Sequence, residues 1–290
     1  MKKIVGFLIA SVICLQADVN LITDKSDFHI NWLVDEFKQE TGIKTNVLFT
    51  EKGLVERAKV EKDAVLLTND ALNLVKLSND NVIKDIDTKT DLYHTKNYIV
   101  TSGRVRGFFV EKGEPTPLTY DDIISEKYNA TVCIRPLTHN YNLVMFSYML
   151  ETKGEAYTRN FIDKLRTNLA TAPDGNDRSQ VKLISEGICN VSIGNSYYMG
   201  LMQKDPVQSE WASKVDFVTP KDPIWLYSAV AMTNDTADNR KFIEFLTSKK
   251  IQEKINANDF EYTNIKSIGK VSLETVAKQK EKALKIVMEN

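Results

Sequence analysis

Short apolar runs alternate with stretches of helical apolar spacing along almost the whole chain, and this rhythm narrows the fold more than any other feature. Residues 19–22, 46–49 and 64–67 read as strands. Between them Ile30, Leu33, Val34 and Phe37 recur at helical spacing up to Gly42, and helical patterns follow at 54–59 and 71–77. Strands alternating with helices predict βαβ units, and so a parallel sheet flanked by helices in an α/β fold. The rhythm continues with an extended pair at 98–101 and 105–110, then a capping box from Thr119 to Asp122. A strand at 132–134 precedes helices at 143–150 and 157–169. Asn176 and Asp177 open a helix that Gly187 stops, and 191–193 is again a strand. Strands at 215–218 and 229–232, a helix holding Phe242, Phe245 and Leu246, and a lysine-rich helix over 273–288 complete the pattern. The chain has no internal repeat and no long linker.

Two βα sets joined by extended segments predict two lobes with a cleft between them. The hinge crossings fall near 100–110, which carries Arg104 and Arg106, and near 218–230, which carries Pro220 and Pro223. In open α/β sheets ligands bind beyond the carboxyl ends of strands. Residues following Ile134 and Ile193 therefore face the cleft. Tyr141 follows the first of these strands, and the pair Tyr197–Tyr198 follows the second.

These tyrosines are the candidate binding residues. A phenol has a pKa of about 10, so it is a poor catalyst near neutral pH. A highly charged cation can nevertheless displace its proton and keep the phenolate. Three phenolates bring three negative charges, which suit Fe³⁺ better than a divalent ion. Neighbouring residues of a regular strand point to opposite faces, so Tyr197 and Tyr198 can share one ion only at a junction, which Gly194-Asn195-Ser196 supplies. Each tyrosine taken alone is equally well explained as a half-buried packing residue with a wet hydroxyl.

The amino terminus reads as an exported leader. Met1-Lys2-Lys3 precedes an apolar run over 4–15 and then Gln16-Ala17-Asp18. The run is short for a membrane span and fits a secretory signal over 1–17, cleaved after Ala17. Its removal deletes two lysines and no acid, taking the formal charge from −1 to −3. That balance, with no basic run among aromatics, argues against nucleic acid as a partner. Cys133 and Cys189 remain, an even number in an oxidising compartment, and are expected to form a disulfide. Each lies eight residues before Tyr141 or Tyr197, so a bridge would pin both ligand-bearing segments together.

Three segments taken together carry a family resemblance: Cys133-Ile134-Arg135-Pro136 with His139-Asn140-Tyr141-Asn142, then Gly175-Asn176-Asp177-Arg178, then Gly194-Asn195-Ser196-Tyr197-Tyr198. With Thr41-Gly42-Ile43-Lys44 and Val65-Leu66-Leu67-Thr68, the sequence resembles the periplasmic ferric-ion-binding proteins, the substrate-binding components of bacterial ABC-type iron importers. The resemblance spans nearly all of the mature chain. It implies a type II periplasmic-binding-protein fold that closes on Fe³⁺ as cargo, and Tyr141, Tyr197 and Tyr198 as second-lobe ligands. It also implies delivery to an inner-membrane ABC permease and a monomer in the periplasm. Arg104 or Arg106 matches an arginine that lies near the site in such proteins. The expected lobes are 18–102 with 228–268, and 103–227 with 269–290.

The chain departs from that family at the first strand. Where the family carries histidine and tyrosine, this sequence has Ser26 and Asp27 in Thr23-Asp24-Lys25-Ser26-Asp27. Either Asp27 supplies a carboxylate to the metal or the second lobe builds the site alone with water or a small anion. Asp27 also suits the N-terminus of the following helix. His29 stands in its first turn. Arg104 and Arg106 alternate around Val105, so a solvated strand face accounts for one of them, and the other can hold an anion or balance phenolate charge. Only three histidines occur, without zinc-binding spacing, and no nucleophile–base pair, phosphate loop or dinucleotide fingerprint appears, so an enzyme is not expected. The alternatives kept are the same fold binding a small anion or a ferric chelate, and a non-transporting sensor or interaction protein with a degenerate site.

Overall fold

The computed structural model describes residues 18–50, 53–269 and 271–289. The expected leader over 1–17 lies outside the described residues. The first six elements follow the sequence rhythm: β1 (Val19–Thr23), α1 (Asp27–Thr41), β2 (Thr45–Phe49), α2 (Leu54–Val60), β3 (Val65–Thr68) and α3 (Ala71–Asn79). Helix α1 buries Ile30, Leu33 and Phe37 on one stripe. It ends at Gly42, which takes a left-handed φ of 77° and returns its N–H to the Lys38 carbonyl. Parallel pairing of β1 with both β2 and β3 is the product of these βαβ units.

The extended pair expected at 98–101 and 105–110 is instead one strand, β4 (Ile99–Glu111). Gly103, in the gap between the two expected runs, lies inside it. A side chain there would crowd the rings of Trp225 and Tyr227, whose carbons stand 3.2 Å from the Cβ position. Glycine thus permits a close approach to β8 (Ile224–Met232) rather than a turn. The pairing runs from Ile99 opposite Val230 to Arg106 opposite Ile224, with an irregular register between Val100 and Ser102.

The later elements are α4 (Tyr120–Ile123), β5 (Val132–Cys133), α5 (Asn140–Thr167), α6 (Asp177–Ser185), β6 (Val191–Asn195), α7 (Tyr197–Lys204), α8 (Gln208–Ser213) and β7 (Val215–Val218). After β8 come α9 (Ala237–Thr247), α10 (Lys249–Asp259) and α11 (Leu273–Glu289). The capping box at Thr119 and Asp122 is present in both directions. Helix α5 joins the two helices read from the sequence, with a kink at Gly154, where φ is 83°.

The sheet order is β2-β1-β3-β8-β4-β6-β5, with β7 also paired to β4. The sheet is mixed, not parallel throughout. β5 and β6 are parallel, whereas β4 runs against β6, β7 and β8, and β3 runs against β8. The parallel pairs sit at the two ends, and the long strands β4 and β8 run between them. Apolar cores surround each end: Leu21, Ile30, Phe37 and Phe242 near β1, and Phe108, Ile134, Phe146 and Ile193 near β6. Helices α5 and α11 reach both sides, since Val144, Tyr148 and Val276 pack with Leu72 and Leu74 of α3. Among the described residues no helix is long and apolar enough to cross a membrane.

Candidate metal centre

Tyr141 and the Tyr197–Tyr198 pair are delivered by neighbouring parallel strands. Val132 lies opposite Val191 and Cys133 opposite Ser192. The expected disulfide joins Cys133 to Cys189, with Cα atoms 5.9 Å apart. After β5 the chain turns, and the His139 ring nitrogen Nδ1 accepts the Tyr141 N–H at 3.1 Å. Tyr141 thus stands on the first turn of α5. After β6, Ser196 leads directly into α7, which opens with Tyr197 and Tyr198. On a helix, successive side chains diverge by about 100° rather than 180°. The two rings therefore lie together, stacked at 4.1 Å with 29° between planes.

Arg104 draws the three rings into one cluster. Its guanidinium lies 5.1 Å from the Tyr141 ring centroid and 5.9 Å from that of Tyr197. It donates to Ser228 Oγ at 3.0 Å and to the Asn69 carbonyl, and lies 3.5 Å from Glu261 Oε1. Arg135 approaches the Tyr141 ring at 5.0 Å, and Arg178 the Tyr198 ring at 5.5 Å. The solvated strand face expected for one of Arg104 and Arg106 does not exist, because both are fully buried. Strands β8 and β6 flank β4, and polar partners cover both arginines.

Arg106 has a different task. It donates to Asp177 Oδ2 at 2.8 Å and Asn142 Oδ1 at 2.7 Å, and reaches Asn195 Oδ1 at 3.4 Å. The buried Asp177 also takes Arg135 at 3.3 Å and the Asn195 N–H at 3.0 Å. One carboxylate therefore ties the junction before Tyr141 to the junction before Tyr197. Asp177, Asn142 and Asn195 were visible in the sequence only as polar residues inside the motif segments; nothing in the spacing marked them as buried.

Burial favours the protonated form of the Tyr197–Tyr198 pair. Burial raises the Tyr197 phenol well above its ordinary value, and the nearby Tyr141 and Tyr198 add to this. Tyr198 is pushed up to about 12, by burial first and then by Tyr141 and Asp177. For Arg104, burial would lower the pKa, yet Tyr141, Glu261 and the other two tyrosines raise it.

The wall facing the tyrosines from the β1 side holds Lys25, His29 and Glu261. Lys25 Nζ lies 3.0 Å from Glu261 Oε2, and Ser102 Oγ donates to the same oxygen. His29 Nδ1 lies 3.1 Å from Asp259, and its ring centroid stands 6.1 Å from that of Tyr197. Asp27 is exposed on the first turn of α1, after the N-cap Ser26, and accepts the Phe28 N–H at 2.8 Å. Among the described residues, no group of three or more His, Cys, Asp or Glu side chains forms a metal site. The tyrosine cluster instead offers hard oxygen donors that acquire charge only when protons leave.

Residues 49–283 match the family model described as bacterial extracellular solute-binding protein. Iron uptake protein A1 of Synechocystis is 29% identical over 273 residues, covering 85% of this chain and 76% of that protein. The crystal structure of the apo ferric ion-binding protein A of Pasteurella haemolytica is 31% identical with a TM-score of 0.86, covering 94% of this chain and 97% of that one. The Mannheimia haemolytica ferric iron-binding protein A, in an open conformation, is 30% identical with a TM-score of 0.81, covering 94% and 98%. The two-lobed architecture is thus that of type II periplasmic binding proteins, and the chain belongs to the family of bacterial extracellular solute-binding proteins.

Proposed function

We propose that this protein is an exported carrier of Fe³⁺ that captures the ion on Tyr141, Tyr197 and Tyr198 and hands it to an inner-membrane ABC permease. The observation that carries this reading is the gathering of three tyrosines, from two strand-to-helix junctions, around the buried Arg104. The relatives named above are an iron uptake protein and ferric iron-binding proteins. Capture exchanges phenolic protons for the metal, and closure of one lobe over the other excludes water. The lobes are 18–102 with 228–268, and 103–227 with 269–290, and the protein acts as a monomer after cleavage of 1–17. Asp27, exposed at the start of α1 where one carboxylate oxygen accepts the Phe28 N–H, or water or a small anion completes the coordination from the side where the His29 ring approaches Tyr197.

Adding ferric citrate should produce the visible phenolate-to-iron charge-transfer band. Replacing Tyr141, Tyr197 and Tyr198 together by Phe should abolish it, and colour surviving in the triple variant refutes the assignment. A second reading, a ferric chelate or small anion as cargo, draws on the cationic surround of Arg104, Arg135 and Lys25. Calorimetry with iron from a weak chelator, against phosphate and against the intact chelate, separates the two.

A further inference from the structure

Asp70 is spent on three elements at once. It is the N-cap of α3, where Oδ1 accepts the Leu72 N–H at 3.0 Å. Its Oδ2 accepts Asn140 Nδ2 at 2.9 Å and Lys280 Nζ at 2.8 Å. Asn140 is the first residue of α5, adjacent to Tyr141, and Lys280 lies on α11. A single buried carboxylate therefore spans from the β3–α3 turn to the two helices that carry and brace Tyr141.

That turn is itself rigidly held. Asp24 takes the Thr68 hydroxyl at 2.8 Å and the Asn69 N–H at 2.6 Å, and Arg104 donates to the Asn69 carbonyl. Residues 68–70 thus grip the tyrosine cluster at two points, through Arg104 and through Asn140. Beside the bridge lies a cavity of about 760 Å³, lined by Leu54 of α2, Asn73 of α3, Asn140 and Leu143 of α5, and Lys280 and Leu284 of α11. Behind the cavity Leu72 and Leu74 of α3 pack with Val144 and Tyr148 of α5 and Val276 of α11, so the Asp70 contacts are the polar part of a junction whose other part is apolar.

We propose that Asp70 is a positioning residue for cargo capture: it latches α3 to α5 and α11 at the cavity edge of their junction and so fixes Tyr141 beside Arg104. The role in capture rests on the iron reading above; the latch itself does not. Nothing in the metal chemistry requires a carboxylate at this place, and N-capping alone uses only Oδ1.

The test uses Asp70→Asn, which keeps an N-cap of the same shape, and Lys280→Met, which keeps the apolar stem of a partly exposed lysine. The second carries the experiment if the first folds poorly. Small-angle scattering of the metal-free proteins reads the latch without iron; both variants should show a larger radius of gyration than wild type. Iron release to a competing chelator, followed by loss of the phenolate band, should be about tenfold faster in each, with less than additive effects in the double variant. Unchanged scattering together with unchanged release overturns the latch, even if wild type takes up iron. Larger variants alongside a colourless wild type uphold the latch and overturn the iron reading instead.

Discussion

Glu261 is the single carboxylate on which the first-lobe wall depends. Burial alone would raise its pKa, but Lys25, then Arg104, His29 and the Ser102 hydroxyl, pull it down to about 2. A carboxylate depressed in the folded state stabilises fully above its unfolded value of about 4.3, and that contribution disappears as pH falls toward 2. Glu261→Gln leaves Lys25 and Arg104 without their shared anion, so it should lower the melting temperature at pH 7. The gap to wild type should shrink between about pH 4.5 and 2, over which wild type loses the same charge. Thermal melts across that range check it; a gap that stays constant shows that the carboxylate's charge is not what the fold uses. At this scale the sequence was partly legible. The gathering of Tyr141, Tyr197 and Tyr198 could be read from the two polar junctions that carry them. The burial of Arg104 and Arg106 could not. Alternation tells which face a residue takes, but whether that face meets water depends on β8 and β6, roughly ninety or more positions away.

At the scale of elements, local signals served well where an element makes its own boundary. Gly42, the Thr119–Asp122 box and Asn176 all act within a few residues, and each stands where its pattern indicated. Long strands escaped for the opposite reason. In the sequence the run of β4 divides around Gly103, whose place inside one strand is explained only by Trp225 and Tyr227 lying against it. Helix α10 was also missed, since only Ile251 and Ile255 mark its buried face among lysines and polar residues. The disulfide acts on elements too. It closes a 56-residue separation and clamps β5 to the start of β6, one strand leading to each tyrosine segment. Replacing Cys133 and Cys189 by Ala should cost ~2–4 kcal/mol by the loop-entropy argument, measured as a lower urea midpoint. It should also speed iron release, because Tyr141 then loses its tether to the Tyr197–Tyr198 junction. Equal midpoints would mean that β5–β6 pairing and the Asp177 cluster already hold the two junctions together.

The whole molecule can be regarded as a device that exchanges protons for a metal inside a closing cleft. Tyr197 and Tyr198 are both held protonated near neutral pH in the metal-free protein, principally by burial. Under the proposed capture by phenolates, the same burial that would shield a bound ion from water opposes the charged form of these tyrosines until the ion arrives. Each phenol that ligates must release its proton, so uptake should liberate about three protons per ion. The sign follows directly: lowering pH restores protons to the ligands and weakens binding, by about a thousandfold per pH unit if all three exchange. Lobe closure adds to this, since expelling water strengthens the attraction between Fe³⁺ and phenolates. Chelator competition at a series of pH values, with proton release followed in weak buffer, gives the count. A slope of three with a matching yield supports full phenolate ligation. A slope near zero with undiminished uptake would place the cargo on groups already charged, such as Arg104 and Arg135, and would make an anion or intact chelate the transported species.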